Sequence, residues 1–321
     1  MKSLSPRAFL RAAAVAAGLA AAGAAVAVDN VKMMIPANPG GGWDTTGREL
    51  GKAMLAAGAV KNIQYDNKGG AAGAIGLAQF VAASKGDPNA LMMGGMVMVG
   101  GLIQNKSAVT LAQVTPIARL TSEYEVIVVP ASSPIKDMKD LMARFKANPG
   151  SISWGGGSAG GTDHILAGLL AKAVGVEPGK VNYVPFKGGG EAVAAIIGGH
   201  VSVGVSGLSE FAQHIQSGKM RALGVSSAAK VGNIASLKEQ GFDVELANWR
   251  GIFGAPGITK EQQAALVKAV ETATKHASWA ETLKRQDWTP YWLPGDQYGA
   301  FIQEENKRIG EILAGLNLGK K

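Results

Sequence analysis

The 321-residue chain has no cysteine, only four histidines and little charge, with 17% of its residues Asp, Glu, Lys or Arg. Without cysteine there is no disulfide, no thiolate metal site and no cysteine nucleophile. His164, His200, His214 and His276 form neither an H-E-x-x-H pattern nor a close pair, so no clustered metal-ligand set is visible and no metal is expected. No G-x-x-x-x-G-K-[ST] phosphate loop is present, and Lys187 precedes its glycine run rather than following it. Gly155-x-Gly157-x-x-Gly160 fits G-x-G-x-x-G formally, but in so glycine-rich a segment the match has little specificity, and no cofactor is expected. Lys and Arg outnumber Asp and Glu by 32 to 24, yet they form no basic block or basic–aromatic stripe, which argues against nucleic acid. The mild positive balance suits a small anionic ligand, or simply solubility.

What the chain does have is glycine, 45 residues, roughly twice the ordinary share. Hydrophobic residues make up 47%, enough to bury a core. The N-terminus carries Lys2, Arg7 and Arg11 with no acid, then an apolar run from Ala12 to Val26 ending in the small-x-small pattern Ala25-Val26-Ala27. Residues 1–27 therefore read as a secretory signal peptide with cleavage near Ala27. The run is too short and alanine-rich for a membrane anchor, which takes about 20 residues. Cleavage lowers the net charge of +8 by three. A soluble, exported, periplasmic protein is expected.

Beyond Val28, strands alternate with helices. Val31–Pro36, Ile63–Asp66 and Leu91–Met93 read as strands, followed by helices at Asp44–Ala57, Gly73–Ser84 and Met96–Gln104. Ile117–Ser122 and Glu125–Pro130 read as two further strands. A second series runs from Ile152–Trp154 through Thr162–Val174, Val181–Val184, Glu191–Ile197, Val201–Val205, Ser209–Ser217 and Met220–Val225. Another strand is expected at Leu246–Phe253, then helices at Thr259–His276, opened by a Thr259/Gln262 capping box, and Gly295–Leu313. Such alternation predicts α/β architecture with mostly parallel sheets flanked by helices. Extended runs ending in Pro or Gly at Glu123–Pro130 and Asn248–Pro256 suggest two crossovers. Lobe 1 would then comprise residues 28–125 plus 255–321, and lobe 2 residues 126–254.

Much of the glycine falls in clusters, most of them between a strand and the next helix: Gly40–Gly42, Gly69/Gly70/Gly73, Gly94–Gly95, Gly100–Gly101, Gly155–Gly157, Gly160–Gly161, Gly188–Gly190 and Gly198–Gly199. That is the carboxyl edge of a parallel sheet, where open α/β folds bind ligands. Glycine admits close backbone approach, and the helix N-terminus beyond offers unpaired N–H groups to an anion. Two loops look alike, Pro39-Gly40-Gly41-Gly42-Trp43-Asp44-Thr45-Thr46 and Gly155 through Gly161-Thr162-Asp163-His164, one in each expected lobe. Asp44, Thr162 and Asp163 serve either as helix N-caps or as ligand contacts. His164 either touches a ligand or packs in the first helical turn. Ser206 sits at a strand-to-helix turn within reach of a ligand. Trp43 and Trp249 are candidate cleft walls, whereas Trp288 and Trp292 read as packing of the tail. Met92, Met93, Met96 and Met98 read as core.

These features together resemble the solute-binding receptors of the tripartite tricarboxylate transporter family, the Bug receptors. The segments that carry the resemblance are Ile35-Pro36-Ala37-Asn38-Pro39-Gly40-Gly41-Gly42-Trp43-Asp44, Asn67-Lys68-Gly69-Gly70-Ala71-Ala72-Gly73, Gly157 to His164, Tyr183-Val184-Pro185-Phe186-Lys187-Gly188-Gly189-Gly190-Glu191-Ala192 and Trp249-Arg250-Gly251-Ile252-Phe253-Gly254-Ala255-Pro256. It covers essentially the whole mature chain. The resemblance implies a two-lobed periplasmic-binding-protein fold that closes on a small carboxylate and hands it to a membrane permease, without catalysis. The positions it implies for the carboxylate are Gly41, Gly42, Thr45 and Thr46 with Gly70 nearby, and Ser158, Gly161, Thr162, His164 and Lys187 opposite. The Gly-Gly-Gly-Trp-Asp form of the first loop looks closer to the tricarboxylate-binding branch and so implies a citrate-like ligand. A monomer is expected. The rival reading is a secreted enzyme acting on an anionic substrate with His164 and Asp163 as acid/base groups; a sensor subunit that presents bound ligand to a signalling partner is a third.

Overall fold

A computed structural model describes residues 28–187 and 189–318. The expected signal peptide, residues 1–27, lies outside the described residues. The chain opens with strand β1 (Asn30–Ile35), helix α1 (Gly42–Ala56), β2 (Asn62–Asn67), α2 (Ala74–Ala83), β3 (Ala90–Gly95) and α3 (Met96–Gln104). In α1 the spacing of Leu50, Ala53 and Met54 puts one apolar stripe into the core. In β3 every residue is buried, as suits a strand covered on both faces. Met92, Met93, Met96 and Met98 are all fully buried core residues.

Strand β4 (Thr115–Pro130) is one unbroken run of 16 residues where the sequence suggests two strands. The gap expected at residues 123–124 is closed, and the acids Glu123 and Glu125 both lie within the strand. Both are held there: Glu123 by ladder pairing with Asn248, and Glu125 with Gly207. No Pro or Gly lies between Ile117 and Val129 to break it.

The chain continues through α4 (Met138–Ala147), β5 (Ser153–Gly156), α5 (Thr162–Ala173), β6 (Asn182–Pro185), α6 (Gly189–Ile197), β7 (Val203–Gly207), α7 (Leu208–Gln216) and β8 (Met220–Val225). It returns along β9 (Ala247–Gly254) and ends with α8 (Lys260–Thr274), α9 (Ala277–Gln286), β10 (Thr289–Pro294) and α10 (Gly295–Gly315). Neither α9 nor β10 was visible in the sequence. Asp287, in the left-handed conformation at φ 54°, ends α9 two residues before the strand begins. Strand β10 has proline near both ends and no buried residue, so it lacks a strand's apolar signature. The capping box at Thr259 and Gln262 is formed.

Strand β4 ties two sheets into one. Its first half pairs antiparallel with β9 and β10, and β9 continues through β3, β1 and β2. Its second half pairs antiparallel with β7 and β8, and β7 continues through β5 and β6. The strands that lead into helices, β1 with β2 and β3, and β5 with β6 and β7, pair in parallel. The fold is a two-lobed α/β structure, a curled sheet flanked by helices. The last helices belong to the first sheet: Glu49 on α1 accepts from Thr282 at 3.0 Å and Arg285 at 2.7 Å on α9.

Candidate functional site

The carboxyl ends of the parallel strands face one another across a cleft that encloses about 100 Å³. Gly41, Gly42 and Trp43 line it from the loop after β1, and Gly70, Ala72 and Gly73 from the loop after β2. Opposite stand Gly157, Ser158 and Asp163 after β5, Phe186, Lys187 and Gly189 after β6, Ser206 and Gly207 at the end of β7 and Glu210 just beyond it. Asn248 and Arg250 of β9 form part of the wall. The two sides nearly touch: a Cβ on Gly189 would stand 3.6 Å from the Cα of Gly41.

Helix α1 starts without a side-chain cap. Its N-cap is Gly41, in extended conformation, and the N-cap of α5 is likewise an uncapped Gly161. The two aspartates fasten their glycine loops instead. Asp44 accepts from the N–H of Gly40 at 3.1 Å and from Arg48 and Asn67, both at 2.9 Å. Burial alone would raise its pKa, but these donors hold it below the ordinary carboxylate value. Asp163 accepts from the N–H of Gly157 at 2.5 Å. The left-handed turns those loops need are made by Gly40 at φ 89° and Gly160 at φ 78°.

Of the positions singled out in the sequence, Gly41, Gly42, Trp43, Gly70, Ser158, Lys187 and Ser206 line the cleft. The others stand behind it. Thr45 gives its N–H to Gly41 O at 2.9 Å, and Thr46 gives its hydroxyl to Gly42 O at 2.7 Å, so both brace the first turn of α1. Asp44 points to Arg48 and Asn67. Gly161 packs against Val97, and the hydroxyl of fully buried Thr162 has no hydrogen-bond partner. Trp249 donates to Glu305 at 2.7 Å and packs edge-on against Tyr298 and Phe301. Its β9 neighbour Arg250, and not Trp249 itself, faces the cleft, because successive side chains of a strand alternate sides.

His164 accepts from the N–H of Gly160 at 3.1 Å and stacks on Tyr183 with ring centroids 4.2 Å apart. Burial pushes its pKa down to about 4, so the ring is neutral at pH 7. Gly156-Gly157-Ser158-Ala159-Gly160 has the spacing of a nucleophile elbow. That role needs a histidine bonded to the serine, and Nδ1 of His164 is engaged by Gly160.

The sequence reading missed the charged interior of the site. Arg250, fully desolvated, forms an ion pair with Glu123 and lies 5.3 Å from the centre of the Trp288 ring. Glu123 also accepts from Trp288 and Ser209, each at 2.9 Å. Burial lowers the pKa of Arg250 to about 9, still cationic at pH 7. Glu210 accepts from the Ser206 hydroxyl; burial raises its pKa against the lowering effect of that bond and of the nearby Gly42 and Gly207 N–H groups. Burial and the charges of Asp163 and Glu210 push Glu125 well above the carboxylate range, and burial takes Asp163 up to about 7. The available signal was two acids, Glu123 and Glu125, inside the apolar run Leu120–Pro130. Among the described residues no group of three His, Cys, Asp or Glu is arranged to hold a metal ion.

A sequence model described as the tripartite tricarboxylate transporter family receptor matches residues 53–318. The chain belongs to that family. Its members are solute-binding receptors and not enzymes. A Cupriavidus necator relative, the UPF0065 protein in the gbd 5′ region, is 32% identical over 197 residues, which span 60% of this chain and 59% of that protein. Among solved structures, the periplasmic binding protein BugD is similar with a TM-score of 0.81 at 22% identity, over 90% of this chain and 98% of its own. A structure of MatC from Rhodopseudomonas palustris with bound malate is similar with a TM-score of 0.79 at 22% identity, over 89% of this chain and 99% of its own. Among the described residues no helix is long and apolar enough to cross a membrane.

Proposed function

We propose that this receptor works in the periplasm, captures a small di- or tricarboxylate between its lobes and delivers it to a membrane permease. The observation that carries this reading is the uncapped start of α1, Gly41-Gly42, opening into a cleft whose far side presents Ser158 and Lys187. Backbone N–H groups at a helix start suit a carboxylate, and an ammonium at the rim adds attraction. The malate carried by the MatC structure supports a ligand of this class. Gly41, Gly42, Trp43, Gly70, Ser158, Lys187 and Ser206 are the proposed contacts. The lobes, residues 28–125 plus 255–321 and residues 126–254, would close about the crossovers in β4 and β9. Closure requires that the ligand bind the closed state better than the open one.

Thermal unfolding in the presence of a panel of organic acids tests the reading. A ligand at 100 times its Kd stabilises by about 2.7 kcal/mol. Stabilisation by at least one dicarboxylate or tricarboxylate is the expected result, and none by any of them overturns it.

A further inference from the structure

We propose that the receptor takes up a proton as it captures its anion, and that the proton goes to the carboxyl pair of Asp163 and Glu125 behind the second glycine loop. This rests on the carboxylate-receptor reading above and adds a proton to its binding step.

The buried cluster requires one proton even when the cleft is empty. Glu125 on β4 is fully buried, and both its carboxyl oxygens lack a donor, as does Oδ1 of Asn248 beside it. Its side chain also lies within hydrogen-bond reach of Asp163 on α5. Buried polar atoms are nearly always paired, and a proton on Glu125 turns this set of facing acceptors into a donor with partners. Two carboxylates in contact and out of water do not both ionise. Glu125 therefore keeps its proton, and Asp163 is the member of the pair left to titrate.

Asp163 stands where a ligand's charge acts. It lines the cleft and accepts from the N–H of Gly157 at 2.5 Å, in the loop that carries the proposed contact Ser158. No free cation faces it among the described residues. Glu210 on α7 is a further acid, and Tyr183 on β6 gives its hydroxyl to Gly157 O at 2.9 Å. His164 on α5 stacks on Tyr183 and is neutral at pH 7. The cations that line the cleft are Arg250, engaged by Glu123 of β4, and Lys187, exposed at the rim. Burial takes Asp163 up to about 7, so the empty cleft holds it partly ionised near neutral pH. A carboxylate at the loop adds a second negative charge in a desolvated wall, where like charges repel strongly. Protonating Asp163 removes that repulsion. Proton and anion then each raise the affinity for the other by the same factor.

The test is isothermal calorimetry at pH 7.5 with succinate, L-malate and any other dicarboxylate that stabilises the protein, run in Tris and in HEPES, whose ionisation enthalpies differ. For each acid that binds, the expected heat changes with buffer in the sense of proton uptake, up to about one proton per ligand. The Kd should weaken by up to about tenfold per pH unit between pH 7 and 9. Binding without uptake, or with release, overturns the inference and leaves the carboxylate receptor standing. If no carboxylate binds, both readings fall. Asp163→Asn is expected to abolish the uptake and flatten the pH dependence, whereas His164→Asn keeps both; the opposite result in either variant overturns the assignment. If Asp163→Asn does not fold, infrared difference spectra of the wild type with the isotopically labelled acid decide. A carboxylic acid C=O band of the protein should grow on binding, and its absence overturns the assignment.

Discussion

The guanidinium of Arg250 fills the space in front of Gly42 where a side chain would otherwise stand. Gly207 bears the same relation to the Glu123 carboxylate, so the buried ion pair is held between glycines from opposite sides of the cleft. Gly42→Ala forces the guanidinium away from Glu123 or α1 away from the cleft. Overpacking of this kind costs about 1–3 kcal/mol. The expected outcome in urea unfolding is a loss in that range, with weaker ligand binding by calorimetry. Gly190 in α6 has an ordinary φ and open space around it, so Gly190→Ala should leave stability unchanged or raise it by up to about 1 kcal/mol.

Glu123→Gln removes one charge of a desolvated pair and leaves Arg250 uncompensated. Breaking such a pair costs roughly 3–5 kcal/mol. Replacing both partners, as Glu123→Gln with Arg250→Met, should cost less than the sum of the two single changes, because residues in contact are not additive. Denaturant unfolding of the four proteins in the cycle measures this. A double variant as costly as the summed singles would show that the two residues act independently.

The alternation of strands and helices was legible because each element carries its own periodicity. The glycine loops were legible because strand-to-helix junctions are local events. The break expected near Glu123 was wrong for a non-local reason: the partner that neutralises that charge is Arg250, 127 residues on. Half of the site positions taken from the sequence line the cleft, and Asp44, Thr46 and Trp249 turn away because Arg48, Gly42 and Glu305 claim their polar atoms. Which of two polar neighbours takes a hydrogen bond is decided by tertiary packing, and a single sequence does not display it. Asn248 and Glu210 carried no local signal of their own.

Acid should destabilise the protein through His164. Its folded pKa of about 4 lies below the ordinary 6.5, so the unfolded chain takes up the proton first. The contribution of the neutral ring is complete above pH 6.5 and is lost as pH falls toward 4, by roughly 3 kcal/mol at most. His164→Asn keeps an acceptor for Gly160 and does not titrate. The variant should show a flatter fall of stability between pH 6.5 and 4 in urea midpoints, and an unchanged slope would place the effect elsewhere.

The buried carboxylates act in the opposite sense. Asp163, raised from 3.8 to about 7, keeps its proton in the folded state where the unfolded chain has lost it. Stability therefore falls as pH rises from about 4 to 7, and the penalty persists above. Glu125 and Glu210 are raised too and add in the same direction. Below pH 6.5 this opposes His164, so the better window is pH 6.5 to 8, where the histidine contribution is nearly complete and changes less than that of Asp163. In that window the wild type should lose stability. Asp163→Asn, which still accepts from Gly157, should lose less.

Ligand binding should be visible in Trp43 and not in Trp249. Trp43 lines the cleft beside the α1 start, so a bound molecule changes its surroundings directly. Trp249 is bonded to Glu305 and boxed in by Tyr298 and Phe301 on the far side of β9. Trp43→Phe should abolish most of the fluorescence change on adding a carboxylate that binds, while Trp249→Phe should preserve it. If the signal instead follows Trp249, closure must reach across β9 into the packing of α10. The crossover strand would then move with the ligand and not serve as a fixed wall.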